Sequence, residues 1–206
     1  MDRRALALLR LGFGLLTFAA IGAQLLSLVD VGSFDPVNYF SYFTILSNIF
    51  GAVLLLVGAA RWRAGHDATK DLLRGAAVVY LSVTFIVFAV LLSNTDVDLA
   101  TPWVNTVLHE VIPIVVFLDW LVDPPEVRFS MLQVAWWLTF PIVWVVYVLI
   151  RGALVGKYPY PFLDPANGGY ASVAVYVVGI AILVIIVSAA VHWLGNVSRA
   201  RRTARA

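Results

Sequence analysis

Apolar residues run along this chain in six long blocks, separated by short polar breaks. The blocks cover about Ala5–Val29, Tyr39–Ala60, Leu72–Ser93, Pro102–Val122, Met131–Ile150 and Tyr170–Leu194. Each has the roughly 20 mostly apolar residues that a membrane-spanning helix needs. The breaks carry turn or charge signals: Asp35-Pro36, Arg61 to Arg74, Asn94 to Thr101, Asp123-Pro124-Pro125 and Gly152 to Gly169. The pattern predicts an all-α polytopic membrane protein, a single six-helix bundle over residues 1–206. Arg3, Arg4 and Arg10 look like the n-region of a signal peptide. The apolar run from Leu11 to Val29 is longer than the usual h-region of about 7–15 residues, so a retained helix is expected.

Composition agrees with lipid as the solvent. The chain of 206 residues is 62% hydrophobic and 13% charged, with a mean hydropathy of +0.92. Soluble domains are about half apolar and about a quarter charged. There is no cysteine, which excludes disulfides, thiolate metal sites and cysteine nucleophiles. The net charge of +2 reflects the placement of basic residues rather than a nucleic-acid partner.

Basic residues favour the cytoplasmic side of short loops. Arg3, Arg4, Arg10, Arg61, Arg63, Lys70, Arg74, Arg128, Arg199, Arg201, Arg202 and Arg205 fall on one side of the predicted topology, and only Arg151 and Lys157 on the other. Asp30, Asp35, Asp96 and Asp98 share that other side. Both termini are therefore expected in the cytoplasm, with the plasma membrane as location. The loop before helix 6 carries Lys157-Tyr158-Pro159-Tyr160-Pro161-Phe162-Leu163-Asp164-Pro165. Its prolines and aromatics suit a stiff segment at the outer interface, serving as a connector or as a lid over an outward-facing site.

Polar groups in hydrocarbon usually face the bundle interior. In helix 2, Ser41, Thr44, Ser47, Asn48 and Gly51 recur every three or four residues and share one face. A packing seam of small residues would explain that face by itself. In helix 4, Asn105 and His109 stack four apart, Glu110 points about 100° away, and Pro113 removes the helical partner of the His109 carbonyl. Thr44 lies roughly 8 Å and His109 roughly 10 Å into helices running the same way. They can meet at one depth. A neutral imidazole within hydrogen-bond reach can activate a threonine hydroxyl as a nucleophile. Asn105, then Glu110, are candidates to orient that histidine. Asn48 or the broken backbone near Pro113 are candidates for stabilising an oxyanion. Arg151 is an interfacial charge, or an anchor for a substrate carboxylate.

The histidines do not form a metal set, since His66 lies in a loop and His192 at the opposite depth from His109. No metal and no cofactor are expected. There is no G-x-S-x-G elbow and no H-E-x-x-H pair.

Phe43-Thr44-Ile45-Leu46-Ser47-Asn48, His109-Glu110-Val111-Ile112-Pro113 and Tyr158-Pro159-Tyr160-Pro161-Phe162-Leu163-Asp164 occur in that order. This ordered set resembles the bacterial Pr6Pr membrane proteins, which look like relatives of the animal androgen-induced, FAR-17a-like membrane proteins. The resemblance covers nearly the whole chain. It implies an intramembrane threonine hydrolase of a lipid ester, akin to a fatty acid ester of a hydroxy fatty acid. The threonine role falls on Thr44 and the histidine role on His109. The expected partner is a membrane lipid substrate entering from the outer leaflet. Two other readings use the same residues: a transporter for a small or amphipathic solute, and a structural protein whose polar groups only bind helices together.

Overall fold

The computed structural model describes residues 2–62, 68–93 and 102–203. Arg63, His66, Asp96, Asp98 and Arg205 lie outside the described residues, as do the side chains of Arg201 and Arg202. Six helices among the described residues are long and apolar enough to cross a membrane: α1 (Arg3–Asp30), α2 (Phe43–Ala60), α3 (Lys70–Leu92), α4 (Pro102–Val122), α5 (Met131–Val155) and α6 (Gly169–Ala200). No strand occurs among these residues. The chain is a multi-pass, all-α membrane protein.

The central helix is α3, which packs against α2, α4 and α6, while α1 packs mainly on α2. Ala76, Ala77, Val78, Val79, Tyr80 and Leu81 are buried in unbroken succession. A helix apolar and buried all round is one enclosed by neighbours. By contrast, α6 meets α5 through Met131–Ala135 and Trp136–Leu138, and beyond Leu138 the two no longer pack closely.

Three boundaries differ from the hydrophobic pattern in ways that matter. The second block does not start its helix at Tyr39. Pro36–Tyr39 form a separate turn capped by the Asp35 side chain, and α2 starts at Phe43 with an extended Tyr42 as its cap. The carbonyl freed at Ser41 accepts the Trp144 indole N–H at 2.9 Å, and the Ser41 hydroxyl donates to the Val37 carbonyl at 2.6 Å. Tertiary partners thus satisfy the broken backbone, as a low-dielectric setting demands. Thr44 is in consequence the second residue of its helix rather than one turn inside it.

The fifth helix runs past Ile150 to Val155 and ends on Gly156, whose φ of +70° is a left-handed C-terminal cap. The sixth continues into its polar tail, where nothing interrupts the backbone pattern.

The end of the bundle that holds Arg10 is closed by a buried ionic cluster. Arg10 of α1 donates from Nε and Nη2 to Asp119 of α4 at 2.6 and 3.0 Å, and from Nη2 to Asp123 at 2.6 Å. Arg74 of α3 donates to Asp119 at 2.9 Å, to Asp71 at 3.1 Å and to the Asp123 carbonyl at 2.7 Å. The Asp71 carboxylate also accepts the Glu126 N–H at 3.0 Å. Arg10 and Arg74, read from the sequence as charges marking one side, are structural members of the core.

Close approach of α5 to the following loop depends on Gly152. A Cβ there would lie 2.1 Å from the Tyr158 ring. Gly152→Leu is expected to push Tyr158 and its loop outward and to destabilise the fold by about 1–3 kcal/mol, as overpacking does. A thermal midpoint in detergent measures it, and an unchanged midpoint would mean that the loop is not held there.

Candidate active site

Proline at position 113 organises the local backbone of α4. Residues Val107–Val111 form a π-turn, in which the Ile112 N–H donates to the Val107 carbonyl five residues back. In that register the Leu108 carbonyl would need the N–H of residue 113, which proline lacks. Asn48 of α2 supplies the missing donor. Its Nδ2 donates to the Leu108 carbonyl at 3.0 Å and to the Thr44 carbonyl at 2.9 Å. Asn48 thereby staples the start of α2 to the π-turn of α4. With both amide hydrogens committed, Asn48 is a positioning residue and has none left for an oxyanion.

The staple sets Thr44 against His109. Thr44 Oγ1 lies 3.2 Å from His109 Nε2, and His109 Nδ1 lies 3.1 Å from the Asn105 carbonyl oxygen. A carbonyl only accepts, so Nδ1 carries the proton and Nε2 presents a lone pair to the hydroxyl. The orienting group is thus the Asn105 backbone rather than its side-chain amide. Phe88, at the start of a second π-turn over Phe88–Leu92 of α3, lies flat on the imidazole with ring centres 4.3 Å apart. Two π-turns meet at one histidine, and such irregular turns are frequent at functional sites.

A third side chain reaches the pair from 116 residues away along the chain. The Tyr160 hydroxyl lies 3.2 Å from both the N–H and the Oγ1 of Thr44. The Thr44 N–H donates to the phenol oxygen, and the Thr44 hydroxyl gives its only proton to His109. The Tyr160 O–H therefore donates to Thr44 Oγ1, and one proton order satisfies all three side chains. Tyr160 is 8% exposed. Its ring stacks on Phe162 at 5.2 Å and meets Tyr42 and Trp144 edgewise or tilted at 5.6 and 6.0 Å. Burial pushes its hydroxyl up to about 12, against the opposing pull of its hydrogen bonds to Thr44. Tyr160 stays a neutral donor at any ordinary pH. Its only trace in the sequence is its place between Pro159 and Pro161 in the aromatic loop.

Two cavities converge on these residues. The larger, about 150 Å³, is lined by Thr44, His109 and Tyr160 together with mostly apolar side chains of α3, α5 and α6. Ile142 and Ile185 line it and are also 57% and 55% exposed on the flank of the bundle. It therefore opens sideways between α5 and α6. The smaller, about 50 Å³, reaches Thr44 and His109 past Gln24, Tyr39, Tyr42 and Asn105. It carries more polar groups.

Glu110 is exposed on another face of α4. Arg151 donates to the Asn38 side-chain oxygen at 3.4 Å and the Lys157 carbonyl at 3.2 Å, and neither cavity includes it. With the Lys157–Asp35 pair at 3.5 Å, it ties the loop to the Pro36–Tyr39 turn. Among the described residues no group of three or more His, Asp or Glu side chains is placed to hold a metal ion. No protein-family model, curated protein or solved structure matches this chain.

Proposed function

We propose that this protein is an intramembrane hydrolase of a lipid ester, with Thr44 as nucleophile and His109 as general base and then general acid. The observation that carries the reading is the 3.2 Å contact between a buried threonine hydroxyl and an imidazole nitrogen of fixed tautomer, both lining a mostly apolar cavity. The roles agree with those implied by the resemblance to the Pr6Pr proteins. The excess of basic residues at the Arg10 end favours that end, and both termini, in the cytoplasm of a plasma-membrane protein. The site then lies toward the outer leaflet.

The acyl chain of a membrane ester enters between α5 and α6 and brings its carbonyl to Thr44. The Thr44 oxygen bonds to the carbonyl carbon, its proton passes to His109 Nε2, and the carbonyl π pair moves onto oxygen. Collapse restores the C=O and breaks the ester C–O bond. The departing alkoxide takes the proton from His109. A water molecule, reaching the acyl-threonine through the smaller and more polar cavity, gives a proton to His109 and adds to the acyl carbon. Collapse then releases a carboxylic acid and returns the proton to Thr44. No cofactor takes part. The cavity lining has no cation, which favours an ester over a free carboxylate as the group bound there.

A fluorophosphonate carrying an alkyl chain tests this directly. The expected adduct sits on Thr44 by peptide mapping and is absent from Thr44→Ala. Labelling that persists in both Thr44→Ala and His109→Ala would remove the mechanism.

A further inference from the structure

An acyl transfer of this kind develops negative charge on the carbonyl oxygen, and preorganised donors at that point supply much of the rate enhancement. Asn48, the side chain in α2 best suited by type, is committed to two backbone carbonyls. The Pro113 break leaves the Leu108 carbonyl without its helical partner, and a carbonyl is an acceptor of no use to an oxyanion. Among the described residues, the side-chain donor in hydrogen-bond contact with Oγ1, apart from the His109 ring, is the Tyr160 hydroxyl. Resting on the Thr44–His109 reading, we propose that Tyr160 is the oxyanion donor, its O–H swinging from Thr44 Oγ1 to the substrate carbonyl oxygen as the new C–O bond forms.

The geometry supports each part of that movement. In the resting site the Tyr160 proton occupies a lone pair of Oγ1, 3.2 Å away. When Oγ1 bonds to the carbonyl carbon, the oxyanion stands two bonds from Oγ1, within reach of the same phenol. Only the proton has to turn about the C–O bond. The ring is held by Phe162, Tyr42 and Trp144, and the prolines on either side of Tyr160 stiffen its backbone. The Thr44 N–H, at the N-terminus of an 18-residue helix, grips the phenol oxygen at 3.2 Å. That contact aims the O–H and polarises it, and the positive end of the helix dipole favours negative charge at this spot. A buried phenol stays neutral and gives a hydrogen bond to the oxyanion, while the balancing positive charge is the proton that His109 has taken from Thr44. Tyr160 would touch the reacting atoms and so be a catalytic residue. The loop that carries it would then be part of the active site rather than a connector.

The test uses the full chain in lipid nanodiscs with p-nitrophenyl octanoate as substrate and octylboronic acid as a mimic of the tetrahedral intermediate. Tyr160→Phe is expected to lower kcat by roughly 10²–10³-fold, the usual loss of one oxyanion donor, and to leave KM within about threefold. Octylboronic acid should weaken by a similar factor, while octane, an apolar ligand of the cavity with no oxygen for Tyr160 to donate to, should bind as before. Retained octane binding reports an intact cavity in the variant. A Tyr160→Phe enzyme with wild-type kcat, beside an inactive Thr44→Ala, overturns the role of Tyr160 and leaves the Thr44–His109 mechanism standing. Equal losses of boronate and octane binding would overturn it as well, because they assign Tyr160 to packing. A wild-type chain that neither labels with fluorophosphonate nor hydrolyses the ester overturns both.

Discussion

His109→Ala is expected to cut ester turnover by roughly 10²–10⁴-fold, the range lost with a general base. The hydroxyl of Thr44 would have no base to take its proton, since the neutral Tyr160 hydroxyl beside it can exchange a hydrogen bond but is a very weak base. The change also leaves a space with the shape of an imidazole against the face of Phe88. Added imidazole should enter that space and restore part of the rate, whereas it should do nothing for Thr44→Ala. Rescue is the decisive measurement, because a histidine that only packed against Phe88 would give a destabilised protein with no dependence on imidazole. Full activity in His109→Ala would end the catalytic reading outright.

The second large effect concerns stability at the other end of the bundle. Asp119→Leu is expected to destabilise the protein by about 3–5 kcal/mol, the cost of removing one partner from a buried charge pair. Asp119 accepts from both Arg10 and Arg74, so its loss leaves two buried guanidinium groups with only Asp123 and Asp71 to balance them among α1, α3 and α4. Against a total stability of about 5–15 kcal/mol, that is a severe loss. The paired change Arg10→Met with Asp119→Leu should cost less than Asp119→Leu alone. It removes the under-compensated charge of Arg10, while Arg74 keeps Asp71 and the Asp123 carbonyl. Unfolding by denaturant in detergent measures both variants. If the pair proves worse than the single change, the cluster does not act through charge compensation. The site at Thr44 lies near the opposite end of α2, so surviving folded protein should keep its ester activity.

The two predictions divide the molecule in a way that bears on how it works. One end is locked by ions, with Asp71 fully buried and every carboxylate of the cluster occupied. The other end holds Thr44, His109 and Tyr160 on the wall of a mostly apolar cleft. Around that cleft, α5 and α6 bury much less of themselves than α3 does. Rigid closure on one side and a lateral opening on the other suit a substrate that arrives from lipid.

Helix number, helix length and the asymmetry of charge are properties of the chain read in one dimension, and they are legible in its apolar blocks and its arginines. The polar faces of α2 and α4 are legible for the same reason, since a period of 3.6 places Thr44 with Asn48 and Asn105 with His109. That Thr44 and His109 share a depth also followed from counting residues, although the count for Thr44 assumed a helix that begins a turn too early. The sequence could not show that break, because it is stabilised by Trp144, a residue 103 positions away from Ser41. Nor could it show that Pro113 frees the Leu108 carbonyl for Asn48, that the Asn105 backbone rather than its amide orients the imidazole, or that Tyr160 closes on Thr44. Likewise Arg10 and Arg74 look in sequence like charges that mark one side, and only the packing of three helices joins them to Asp119 in one cluster. The reason is common to all of these. Hydrophobic pattern sets which segments leave water, a property of each segment alone, whereas an unsatisfied polar group inside the membrane finds its partner wherever the folded chain brings one within about 3 Å.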